Sequence, residues 1–153
     1  MKSVAAGLAI TAAKREDLPE ILALLEECKL PKEGLATHLP TTLVARRGKE
    51  IVGSSALELY QELALLRSVA VKPSYQRRGL GRELTRAALD LAMQNKITNL
   101  YLLTETASVF FSKLGFKPIP RSEVPVKVQR SVEFTTLCPV TATVMTMPIR
   151  QEQ

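Results

Sequence analysis

Clustered thiols are missing from this chain. Its two cysteines, Cys28 and Cys138, stand far apart and form no metal-ligand spacing, so no zinc or trivalent-arsenic centre is expected. Isolated thiols suit a reduced, cytoplasmic setting. No apolar run approaches the roughly 20 residues that a membrane span requires, so no membrane partner is expected. Nowhere are bases interleaved with aromatics as in single-strand binders, and aromatics make up only 5% of the chain. That argues against a nucleic-acid partner. Repeats, low-complexity tracts and linkers are absent too, so residues 1–153 read as a single domain, long enough for a hydrophobic core.

With 46% apolar and 24% charged residues, the composition is that of an ordinary globular protein. A formal charge of +6 suits an anionic partner, and its clustering says more than its total. Arg77, Arg78 and Arg82 gather after a valine-rich apolar run, Leu65 to Val71, which only Arg67 and Ser68 interrupt. That run reads as a buried strand. Lys72-Pro73-Ser74 ends it, because proline cannot donate to a sheet ladder. Gln76-Arg77-Arg78-Gly79-Leu80-Gly81 comes next, followed by an amphipathic helix with Leu80, Leu84, Ala87, Ala88 and Leu91 on one face. A strand, a basic glycine loop and a helix start together aim backbone N–H groups and a positive helix end at phosphates. Gly79 and Gly81 carry no Cβ to hold an anion off.

The remaining segments read in order. Val4 to Ala13 after Lys2 imitates a short signal peptide, but Gly7 to Ala13 serves better as the first strand. Glu16 to Cys28 has apolar residues at helical spacing, with Pro19 in the first turn. Pro31 to Leu39 reads as a second short helix, Thr42 to Arg46 and Ile51 to Tyr60 as strands around a turn at Arg47 to Glu50. Ile97 to Thr104 and Phe116 to Ile119 are further strands, separated by a short helix over Thr106 to Leu114 that Gly115 stops. Arg121 to Phe134 is mixed, a loop with a helix, and Thr141 to Ile149 a terminal strand. The fold class expected is α/β (α+β): a mixed, mostly antiparallel sheet of six to seven strands flanked by helices.

The full spacing V-x-V-x-P-x-x-Q-R-x-G-x-G, Val69 to Gly81, resembles the acetyl-CoA-binding motif of the Gcn5-related N-acetyltransferases, the GNAT family. Leu65 to Val71, Tyr101 to Thr104, Phe110-Phe111 to Gly115-Phe116 and Leu137-Cys138-Pro139 carry a narrower resemblance. It is to single-domain arsenic-resistance acetyltransferases and to the acetyltransferase domain of N-acetylglutamate synthases. The resemblance implies that the fourth and fifth strands splay and seat acetyl-CoA in the notch between them. It also implies that Val69, Ala70 and Val71 offer main-chain groups, with the Val69 N–H stabilising the oxyanion, and that Gln76, Arg77, Arg78, Gly79, Leu80, Gly81 and Arg82 hold the pyrophosphate. Thr104, Ala107 and Phe111 fall where the family often has Asn, Ala and Tyr beside the pantetheine. Phe111 cannot protonate the departing thiolate as that tyrosine does. Leu65 likewise stands where many members carry a glutamate that deprotonates the amine through water.

Glu58 is the best substitute for that base, an acid embedded in an apolar strand, where a charge needs a partner or a job. His38 and Glu105 are weaker candidates. A two-residue loop at Gln61-Glu62 sets Glu58 opposite Leu65, and a four-residue loop sets it opposite Arg67. Either register puts Glu58 and Arg67 on one sheet face. They then form either a structural ion pair or a functional one, in which Arg67 holds a substrate carboxylate and Glu58 the ammonium. Tyr60, Ser68, Arg130 and Ser131 are further candidates to line a substrate pocket. The activity implied is direct acetyl transfer from acetyl-CoA to the α-amine of a small acidic amino acid, glutamate-like or an arsenic or phosphorus analogue. Rival readings are a peptide N-acetyltransferase and a non-catalytic acyl-CoA-binding module. No metal is expected, and a homodimer stays open.

Overall fold

The computed structural model describes residues 7–137 and 140–150. Its strands are β1 (Leu8–Ala12), β2 (Thr42–Arg47), β3 (Glu50–Tyr60), β4 (Leu63–Val71), β5 (Asn99–Thr104), β6 (Lys117–Ile119) and β7 (Thr143–Pro148). They form one seven-stranded sheet in the order β1-β2-β3-β4-β5-β7-β6. Every neighbouring pair is antiparallel except β4 and β5, which run parallel. The sheet class expected from the sequence is therefore the one observed. Cys138 and Pro139 lie outside the described residues, as does the start of the signal-like stretch up to residue 6, while Leu8–Ala12 of that stretch form β1.

Four helices join the strands: α1 (Leu18–Glu27), α2 (Leu80–Gln94), α3 (Ser108–Lys113) and α4 (Val126–Gln129). On one sheet face, α1 buries Ile21, Leu24 and Leu25 against Val44, Ala56 and Ala70. On the other, α2 lays Leu80, Leu84, Ala88 and Ala92 down at helical spacing. Gly53 of β3 makes this approach close, for a Cβ there would sit 2.7 Å from Leu84 Cδ1. None of the described helices is long and apolar enough to cross a membrane.

The short helix expected over Pro31 to Leu39 is instead a run of 3-10 turns, Leu35–Thr41, kinked at His38. Pro40 is the reason, since it has no N–H to give an α-helical ladder. Leu35 still buries completely and pins the segment over β3. Beyond β6, Arg121–Glu123 is a 3-10 turn, α4 one short helix and Glu133–Leu137 a wide turn of π type.

Candidate active site

The notch begins where two strands part. β4 pairs with β5 only through Leu63, Ala64 and Leu65, opposite Asn99, Leu100 and Tyr101. From Leu66 onward the two strands diverge and their facing edges, Leu66 to Val71 and Leu102 to Thr104, become walls of a cavity of about 940 Å³. That is the size class of a small-molecule site.

A β-bulge sits on the β4 wall. Ser54 pairs with Ala70 and Ala56 with Arg67, so Ser68 and Val69 stand against Ser55 alone. Ser68 is in the left-handed region at φ 60°, and its carbonyl accepts the Ser54 hydroxyl at 2.7 Å. A bulge takes backbone groups out of the ladder and turns them elsewhere. Of the two doubled residues, Val69 lines the cavity wall beside Ala70 and Val71, and so does Ser68.

At one end of the cavity stand Gln76, Arg77, Gly79, Gly81 and Arg82. Gly79 caps α2 at φ 83°, and the first bond of the helix runs from Glu83 N–H to the Gly79 carbonyl at 3.1 Å. The N–H groups of Leu80, Gly81 and Arg82 precede that bond and lie at the positive end of the helix dipole. Gln76 braces the loop by donating Nε2 to the Val71 carbonyl at 2.9 Å. Of the basic residues expected here, Arg78 stands apart from the cavity wall. Arg78 lies over the Tyr75 ring, 5.6 Å from its centroid, and the Leu80 side chain is core.

Thr104, Ala107 and Phe111 line the opposite wall, with Glu105 exposed at its rim. Thr104 Oγ1 accepts the Ala107 N–H at 2.9 Å and so shapes the approach to α3. Phe111 is packed edge-on against Phe110 and Phe116, with ring centroids 5.0 and 5.7 Å away. A phenyl ring in that cage supplies shape and no proton.

The far end is charged and buried. Gln61-Glu62 is indeed a two-residue turn, Glu58 faces Leu65 across the ladder, and Arg67 lies on the same face. Arg67 Nη1 donates to Glu58 Oε2 at 2.9 Å, Nη2 to the Pro31 carbonyl at 3.1 Å, and Nε to Ser68 Oγ at 3.0 Å. Glu133 Oε2 is 3.4 Å from Nε. Tyr60 donates to Glu58 Oε1 at 2.5 Å. Burial would raise the Glu58 carboxyl, but hydrogen bonds from Ser131, Tyr60 and Arg67 outweigh it and hold the group below its ordinary value. Burial first, then the bond to Glu58, pushes the Tyr60 phenol up. His38 Nε2 stands 3.8 Å from Glu58 Oε2, and burial keeps its imidazole below the usual range.

The expected substrate residues therefore divide. Arg67 and Ser68 line the cavity, whereas Glu58 and Tyr60 are off its wall and Arg130 is exposed away from it. Glu58 is placed as the counter-ion of Arg67 and is not among the residues that line the cavity. The lining also includes residues not expected from the sequence, among them the Cys28-Lys29-Leu30-Pro31 segment after α1, Thr106, Ala142 and Glu133. Glu133, an acid flanked by Val132 and Phe134, carried the same signal as Glu58. Nothing local marked Cys28 to Pro31.

A parallel strand pair splayed over a cavity, with a helix start at one end whose free N–H groups suit an anion, is an arrangement fit to seat a phosphorylated small molecule. The model of the acetyltransferase (GNAT) domain matches residues 38–118. An uncharacterised N-acetyltransferase of Chlorobaculum tepidum is 29% identical over 108 residues, covering 70% of this chain and 67% of that protein. An amino-acid acetyltransferase of Aeromonas salmonicida is 30% identical over 128 residues, 78% of this chain but 29% of that one. The N-acetylglutamate synthase of Neisseria gonorrhoeae, solved with coenzyme A and N-acetyl-glutamate, superimposes with a TM-score of 0.81 at 22% identity. It covers 94% of this chain and 35% of its own, and at that identity the likeness is one of fold. The chain thus spans about a third of the length of these last two proteins. It belongs to the GNAT acetyltransferase family and is, by that membership, an acyltransferase.

Proposed function

We propose that the chain transfers acetyl from acetyl-CoA directly to the α-amine of a small amino acid in the cytoplasm, with acidic, glutamate-like molecules and their arsenic or phosphorus analogues as the substrate class. The observation that carries this reading is the single cavity joining the α2 start, the β4 bulge and the Arg67 cluster. The pyrophosphate of CoA sits on the N–H groups of Leu80, Gly81 and Arg82, with Arg77 and Arg82 supplying charge. Its pantetheine lies between β4 and β5, which brings the acetyl carbonyl to the Val69 N–H. A donor aimed at the developing oxyanion is typically worth about 10²–10³ in rate. The substrate carboxylate approaches the Arg67 guanidinium from the cavity, beside Ser68 and Glu133. Phe111 leaves the thiolate to depart without a side-chain acid.

The test is acetyl-CoA with the twenty standard L-amino acids, glutamate analogues and a short peptide, reading release of free thiol. Amino-acid-dependent release supports the proposal. Release with the peptide alone redirects it to peptide N-termini, and acetyl-CoA binding without any release reduces it to a binding module.

A further inference from the structure

The proposed reaction starts from an ammonium, which must lose a proton before its nitrogen can attack. Leu65 is fully buried and aliphatic, and Glu58 is buried, paired with Arg67 and off the cavity wall. Glu133 is differently placed. It lies in a single π-type turn, Glu133–Leu137, a geometry that recurs at functional sites. Its side chain is 6% exposed and yet forms part of the cavity wall, with Ser68 and Val69. The Ser131 hydroxyl accepts the Glu133 N–H at 3.2 Å and fixes the start of the turn.

One guanidinium here faces two carboxylates. Glu58 on β3 has the closer grip on Arg67 of β4, with Tyr60 and Ser131 adding hydrogen bonds and His38 standing near from the 3-10 segment. Glu133 has the longer contact, at 3.4 Å. Two like charges sharing one counter-ion hold their protons unequally. Glu58 stays ionised, while burial pushes Glu133 up to about 7, with Arg67 drawing it down and Glu58 pushing it up.

We propose that Glu133 is the proton acceptor for the substrate amine, the role that sequence alone suggested for Glu58. This rests on the acetyltransferase reading above. The substrate ammonium gives one proton to the Glu133 carboxylate. The freed lone pair forms the C–N bond at the thioester carbonyl, and the C–S bond breaks with its electrons going to sulfur. The second nitrogen proton passes to the CoA thiolate, and Glu133 returns its own to solvent. An acceptor poised near neutrality works best at the pH where the enzyme operates.

The experiment uses the full chain, acetyl-CoA and whichever standard L-amino acid releases most thiol. No release by the parent with any of them, while acetyl-CoA binds by calorimetry, overturns the functional reading and this inference with it. For an active parent, kcat at saturating substrates is expected to rise with pH and level off near 7. Glu133→Gln should keep acetyl-CoA affinity, lose about 10²-fold or more in kcat, and lose that break. Glu133→Asp should regain part of both. Matching profiles for parent and Glu133→Gln overturn the proposal, as does loss of the break in Glu58→Gln instead. Should Glu133→Gln not fold, the parent and Glu133→Asp decide, and a flat parental profile between about pH 6 and 8 overturns it.

Discussion

The two ends of the notch solve recognition in opposite ways. The α2 end presents backbone: N–H groups at a helix start, glycines, and arginines that stay in water. The acceptor end presents side chains, with Glu58, Arg67 and Glu133 all removed from solvent. Backbone donors come with the fold and need little desolvation. Buried charges do not, and removing one partner leaves the other stranded. The comparison teaches that the first end can vary with little effect on stability, whereas the second is part of what holds the sheet to its covering loops.

The largest break in that contrast should come from Arg67→Met. It strands Glu58, and urea denaturation should show a loss of about 3–5 kcal/mol near neutral pH. The sign with pH follows from the lowered Glu58 carboxyl. Its contribution is fully present above the ordinary carboxyl value of 4.5 and fades as the pH falls through the lowered one, so parent and variant should converge in acid.

Glu133→Gln should move stability the other way with pH. Burial raises the Glu133 carboxyl from 4.5 to about 7, so its protonated form stabilises the fold below 4.5 and that contribution is lost as pH rises through 7. The amide has no proton to lose. Its stability relative to the parent should therefore rise between about pH 5 and 8, by on the order of 3 kcal/mol. Thermal unfolding at both pH values reads this, and a constant difference would count against it.

Gly79→Ala tests the phosphate end. Nothing lies within 4 Å of the added Cβ, so the cost is that of holding φ at 83°, about 1 kcal/mol. Acetyl-CoA affinity should fall with it. Arg77→Ala should have the smallest effect on stability, within about 0.5 kcal/mol. Calorimetry should nevertheless show weaker acetyl-CoA binding, with a gap from the parent that narrows as salt screens the phosphates. An equal gap at all salt concentrations would mean that Arg77 acts by shape.

Sequence legibility divides along the same line. The strand, loop and helix from Leu63 to Gln94 could be read because each signal is local: a valine-rich apolar run, a proline stop, glycine spacing, a helical apolar stripe. The Glu58–Arg67 pair was also within reach, because a two-residue turn sets a register arithmetically. The bulge at Ser68 was not. It depends on Ser54 and Ser55 finding partners in the Ser68 carbonyl and the Leu84 carbonyl, which only the packed sheet provides. Glu133 was hidden for a like reason. It meets Arg67 from a turn far along the chain, and no spacing announces that meeting.

The sheet order also constrains how the molecule can be made. β7 lies between β5 and β6 and is the strand that β6 pairs with. While a ribosome is still building residues 143–148, both flanking ladders are bare, and two unpaired edges are an invitation to another chain. The β3–β4 hairpin can close early, since its ends are near neighbours in sequence. Closure of the other half must wait for a strand delivered late and slid into place between its neighbours. The edges of β5 and β6 that face β7 are therefore covered only once residues 143–148 are in place.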